Sequence, residues 1–140
     1  LMINGHSDYD YWDETYPQLF QDVIMPSSAY QLLMAGVTSA RDLGGPLKES
    51  IDVRDKINSG EIPGPTMYVS GPFIQKKPYP GTELFRWGLS GEKDARKKIR
   101  ILADAGVDCC RCSSSSSSSK TLLKSNDAIF IYPYLVLLQT

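Results

Sequence analysis

The chain has 140 residues, 41% of them hydrophobic and 22% charged, which suits one folded domain and argues against an intrinsically disordered polypeptide. A formal net charge of −1 gives no global electrostatic reason to expect a nucleic acid or an anionic membrane as partner. No stretch of about 20 apolar residues is available to span a bilayer, and no signal-peptide pattern opens the chain.

Taken in chain order, Leu1-Met2-Ile3 reads as a short strand opening into Asn4-Gly5-His6. An aromatic, acidic connection follows with Tyr9, Tyr11, Trp12 and Tyr16, and residues 1–22 carry five carboxylates without one lysine or arginine. Pro26-Ser27-Ser28 looks like a helix start with serine supplying the N-cap oxygen. Tyr30, Leu33, Met34 and Val37 have the spacing of a core-facing stripe. Gly36 should cap that helix, and residues 37–43 should form a strand that ends at Gly44-Gly45-Pro46. The glycine pair is a weak phosphate signal and better explained as a turn.

A second helix is expected over residues 48–58, stopped by Gly60, and a strand over residues 66–70. Residues 71–91 hold four glycines and three prolines and predict a long loop, a length that usually serves function or motion. A third helix over residues 92–105 has Ala95, Ile99, Leu102 and Ala103 on one side. Its other side carries Lys93, Arg96, Lys97, Lys98 and Arg100, read as a solvated face. Gly106 repeats the cap of Gly36, and residues 107–112 make a fourth strand.

Helix, glycine cap and strand in repetition point to an α/β fold with parallel strands. Cys109, Cys110 and Cys112 are odd in number and sit too close along one strand to pair well. They read as buried strand residues in a reducing compartment, cytoplasmic rather than exported. After Cys112 come seven serines, residues 113–119, read as a flexible linker, and then an apolar tail over residues 120–140 that Pro133 interrupts.

Several segments together resemble the amidohydrolase superfamily, in its imidazolonepropionase-like and prolidase-like branch. They are I-N-G-H-S-D-Y from Ile3, A-G-V-T-S-A-R-D-L-G-G from Ala35, I-N-S-G-E-I-P-G-P-T-M-Y-V-S-G-P from Ile57, G-L-S-G-E-K-D-A-R-K-K-I-R from Gly88 and A-D-A-G-V-D from Ala103. The resemblance covers residues 1–112 and implies a partial (β/α)8 TIM-type barrel of about four β/α units. It implies a divalent metal, zinc being the expected ion, that activates water against the C–N bond of an amide, a cyclic amide or a dipeptide. The small-molecule substrate would sit at the C-terminal ends of the strands.

His6 and Asp8 occupy the positions of the family's first-strand His-x-His and are the expected metal ligands. Asp42 would shape the mouth of the pocket, although loop capping is the commoner use of such an aspartate. Arg111 stands where related sequences carry a lysine that is often carboxylated, and a guanidinium cannot form that carbamate. The later histidines and the eighth-strand aspartate have no counterparts. The chain is therefore expected to be a truncated or mis-joined form with little or no activity alone. Half a barrel leaves a strand edge unpaired, and two halves could close it as a homo-oligomer. The alternative is a non-catalytic remnant acting as a binding or oligomerisation module, with residues 9–16 as its contact surface.

Overall fold

The computed structural model describes residues 19–113. A π-helical turn, Phe20–Ile24, runs into α1, Met25–Met34. Then come β1, Ser39–Asp42; α2, Leu47–Asn58; β2, Thr66–Val69; β3, Phe73–Gln75; β4, Arg86–Gly88; α3, Glu92–Asp104; and β5, Cys112–Ser113. The strand pairs are all parallel and fall into two sheets, β1-β2 and β4-β3-β5. This is a mixed α/β unit with short parallel sheets. Among the described residues the arrangement is open, a partial α/β unit in which the curvature of the expected partial barrel is not formed as one continuous sheet.

Both expected glycine caps are formed. At the end of α1 the Gly36 N–H donates to Leu33 O and the Val37 N–H to Leu32 O. After α3 the Gly106 N–H donates to Ala103 O and the Val107 N–H to Leu102 O. These are paired Schellman bonds, which need a left-handed residue at the cap, and φ is 84° at Gly36 and 85° at Gly106. The sequence echo is thus one turn geometry used twice.

The first helix departs from the expectation. It starts before Pro26, with the π-helical turn ahead of it, and no serine side chain caps it. Its buried residues are Phe20, Met25 and Ala29, while Tyr30 is 47% and Met34 68% exposed. The residues here are apolar on both sides, so the 3.6-residue period supports two stripes. Phe20 and Met25, brought in by the extra turn, decide which stripe packs inward. They join Ala29, Val53 and Ile57 of α2, Met67 of β2 and Phe85 in one core cluster.

On β1 and β2 the register pairs Ala40 with Met67 and Asp42 with Val69 on the covered face. Ser39, Arg41, Thr66 and Tyr68 lie on the opposite face and are exposed. The edge of β2 away from β1 is finished by side chains. Asn58 accepts from the Met67 N–H at 3.0 Å and donates to Met67 O at 3.1 Å, so its amide stands in for a strand. Asp108 Oδ2 accepts the Val69 N–H at 2.8 Å, and the Asp108 N–H returns a bond of 2.9 Å to Val69 O.

Two strands lie inside the expected long loop, and the expected fourth strand is mostly irregular. Residues 66–75 run as a single extended path broken at Ser70-Gly71-Pro72. Leu47, Leu102 and Val107 converge on that break, and a Cβ at Gly71 would stand 2.8 Å from Leu47 Cδ1. Residues 107–111 follow the same path on the side away from β1, bonding at Asp108 and at Arg111, whose carbonyl accepts the Ile74 N–H. Only Cys112–Ser113 counts as strand, so the first residue of the expected serine linker belongs to β5. The rest of that linker and the apolar tail lie outside the described residues. On α3, Leu102 is buried as expected, Ala95 and Ile99 are half-buried, and Ala103 is exposed. No helix among the described residues is long and apolar enough to cross a membrane.

Candidate functional site

In parallel α/β folds, ligand chemistry gathers where the strands end at their carboxyl side, because the connecting loops meet there. In this chain that region holds the turn after β1, the Ser70-Gly71-Pro72 break, and the approach of residues 109–112 to β3. The expected metal ligands His6 and Asp8 lie outside the described residues, as does the aromatic, acidic segment of residues 9–16.

Asp42 ends β1 and is 7% exposed. Its Oδ1 accepts the Gly44 N–H at 3.1 Å, and its carbonyl accepts the Ser70 N–H at 3.0 Å. The Gly45 N–H donates to Gly71 O at 3.2 Å. Asp42 therefore caps its own loop, and the glycine pair spends its N–H groups inside the fold rather than offering them to a phosphate.

Arg111 is exposed, with its guanidinium 4.5 Å from the centre of the Phe73 ring. It is a permanent cation stacked on an aromatic face and supplies no metal-bridging oxygen. The three thiols are free and half-buried. Burial pushes Cys110 up to about 11, aided by neighbouring Cys112 and Cys109. Burial also raises Cys112 and Cys109, the latter against the pull of Arg41. Burial thus disfavours the thiolate form that nucleophilic or ligating chemistry uses. Among the described residues no three His, Cys, Asp or Glu side chains come together as a metal-holding group. The described part of the chain therefore does not fit a metal centre of its own, and no reaction step is routed through one.

A second polar constellation was not visible in the sequence pattern. Arg54 on α2 donates to Asp108 Oδ2 at 2.9 Å, to Gly106 O at 2.7 Å and to Asp55 at 2.8 Å. Burial alone would lower the Arg54 pKa, and the bonds to Asp55 and Asp108 outweigh it. This clamp holds the cap of α3 against α2 while Asp108 also anchors β2. Its role is to fix the two sheets relative to one another. The loop reading of residues 71–91 also concealed Phe73 and Arg86 as strand residues. Only their short β-prone triplets, Phe73-Ile74-Gln75 and Arg86-Trp87-Gly88, could have signalled them.

No protein-family model matches the chain, and no curated protein matches it. Among solved structures it is similar to ochratoxinase of A. niger, with a TM-score of 0.60 and 22% identity over 79% of this chain and 30% of that one. It is also similar to a protein of Bifidobacterium longum assigned as a prolidase, with a TM-score of 0.57 and 28% identity over 66% of this chain and 24% of that one. The chain spans less than a third of either neighbour. Over the part it covers, the chain has an amidohydrolase-like fold.

Proposed function

We propose that this chain is part of an amidohydrolase-type hydrolase acting on C–N bonds of a small amide, cyclic amide or dipeptide. The observation that carries the reading is the shared strand-and-helix frame with A. niger ochratoxinase over 79% of the chain. The segments around Ala35 and Ile57 support it from the sequence side. His6 and Asp8 would be this chain's contribution to a divalent-metal site, with zinc the expected ion. Little or no turnover is expected from the 140 residues alone. Metal analysis after loading with zinc tests the assignment. Stoichiometric zinc that is lost in His6→Ala supports it, and a chain that retains none removes the metal-site reading.

A second reading is a non-catalytic binding or oligomerisation module. It is favoured by the β1-β2 sheet, whose Ser39, Arg41, Thr66 and Tyr68 face is exposed, because parallel sheets are normally covered on both faces. Light scattering separates the two readings. A dimer that persists without zinc and in His6→Ala favours the module, and a monomer counts against it.

A further inference from the structure

The helices of this unit differ in what they show to solvent. Half the residues of α2 and more than half of those of α3 are charged. Between Asp22 and Arg41, by contrast, the sequence holds no charged residue, and α1 lies wholly inside that interval. Five of the ten large apolar side chains left exposed among the described residues belong to α1 or to the residues leading into it. They are Leu19, Val23, Tyr30, Leu33 and Met34. The other five are scattered singly over loops, β2 and α3, as apolar surface residues commonly are.

Met34 stands one turn after Tyr30 and Val23 about two turns before it, while Phe20, Met25 and Ala29 face the core. The inner stripe seats the helix, and the outer one is left to water. A contiguous apolar strip of this kind marks a contact surface. From Val23 to Met34 it is about 17 Å long at helical rise. Its lack of charge decides what suits it. A nucleic acid or a charged peptide finds no partner there, and a helix that lies on an anionic membrane carries lysine or arginine beside its apolar face. The nearest charge along this chain is instead the carboxylate of Asp22. A second copy of the same face matches it, because two uncharged strips meet without like-charge repulsion. The exposed face of β1-β2 suits self-contact less well, since a two-fold pairing there brings two copies of Arg41 into one interface.

We propose that the outer strip of α1 is the interface of a homodimer, with the two helices antiparallel about a two-fold axis near Tyr30. This dimer needs neither hydrolysis nor a metal, and it rests on the oligomerisation reading only in that the chain must self-associate. Tyr30, near the middle of the strip, meets its own copy across the axis. A strip of this length buries an area at the low end for specific complexes, so the dimer is weak and depends on concentration, with a Kd on the order of micromolar.

Sedimentation equilibrium of the full chain over a wide range of concentration tests this. The parent should pass from monomer to dimer as concentration rises. Tyr30→Lys and Met34→Lys put a charge into the apolar strip and should each weaken the dimer at least about tenfold. Both side chains are exposed, so the denaturation midpoint of the monomer should be nearly unchanged. Tyr68→Lys, on the β1-β2 face, should leave the dimer as it is. Mixing Tyr30→Lys with Tyr30→Glu should restore the association that each variant loses alone, since opposite charges then meet across the axis. A monomer at every concentration would overturn the α1 interface and the oligomerisation reading together. Self-association that survives Tyr30→Lys, or that Tyr68→Lys abolishes, would overturn the α1 interface while leaving that reading in place. A mixed pair that associates no more tightly than either variant alone would likewise overturn it.

Discussion

The two sheets of this molecule are built on opposite terms. In β1-β2 every second side chain is covered, and α1 and α2 put Phe20, Met25, Val53 and Ile57 beneath Met67. In β4-β3-β5 the strands are two or three residues long, and Ile74 is the one fully buried strand residue among those whose burial is described. The first sheet spends its side chains on packing and on closing its edge through Asn58 and Asp108. The second leaves Arg111 exposed and its thiols half-buried. Few buried apolar neighbours and short ladders mean a lower free energy of local opening. The stable half thus acts as a support on which the weaker half is built.

Removing the keystone of the support should have the largest effect. Phe20 is 1% exposed and ties the π-helical turn to α2 and β2. Phe20→Ala should cost about 3–5 kcal/mol of global stability, read as a lower denaturant midpoint. A loss below about 1 kcal/mol would mean that Phe20 is not central to the core. The joint between the halves comes next. Asp108→Ala removes the acceptor of the Val69 N–H and the partner of Arg54. Leaving such groups unpaired costs about 1–3 kcal/mol. Hydrogen exchange should show the Val69 amide losing protection before the Met67 amide, which keeps its bond to Asn58. Unchanged exchange at Val69 would show that Asp108 does not join the halves.

What could be foreseen from the sequence follows the range of the forces involved. The caps at Gly36 and Gly106, the bodies of α2 and α3 and the strand at Thr66 are set by neighbours within one turn, so local pattern found them. The Asp42 cap is as local, since its partner Gly44 lies two residues on. The phase of α1 escaped because the residues there are apolar on two sides, and only tertiary contact with Phe20 chooses between them. β3 and β4 escaped because three residues show no usable period. The edge closures by Asn58 and Asp108 join positions 9 and 39 residues apart, a separation no short-range pattern records. Arg86, Phe73 and Arg111 are the extreme case, because they become neighbours only once the register is known. His6 and Asp8 are proposed from family resemblance alone, which supplies motif positions without supplying contacts, and they lie outside the described residues.

The smallest effect sharpens the contrast most. Burial lifts Cys110 from an ordinary 9.0 to about 11, so the folded chain holds that proton more tightly than the unfolded one. The resulting stability is complete below pH 9 and declines as pH rises toward about 11, because the unfolded chain ionises first. Comparing the parent with Cys110→Ala isolates this slope from the lysines and tyrosines that titrate nearby. The same thiol also reports how the weaker sheet opens. At pH 8 iodoacetamide should modify Cys110 slowly and through local separation of β5 from β3. Its rate should then be insensitive to low denaturant and nearly unchanged in Phe20→Ala, even though that variant loses much of its global stability. A rate that rises in step with the Phe20→Ala destabilisation would mean that both sheets open together, and the division into support and weaker half would not hold.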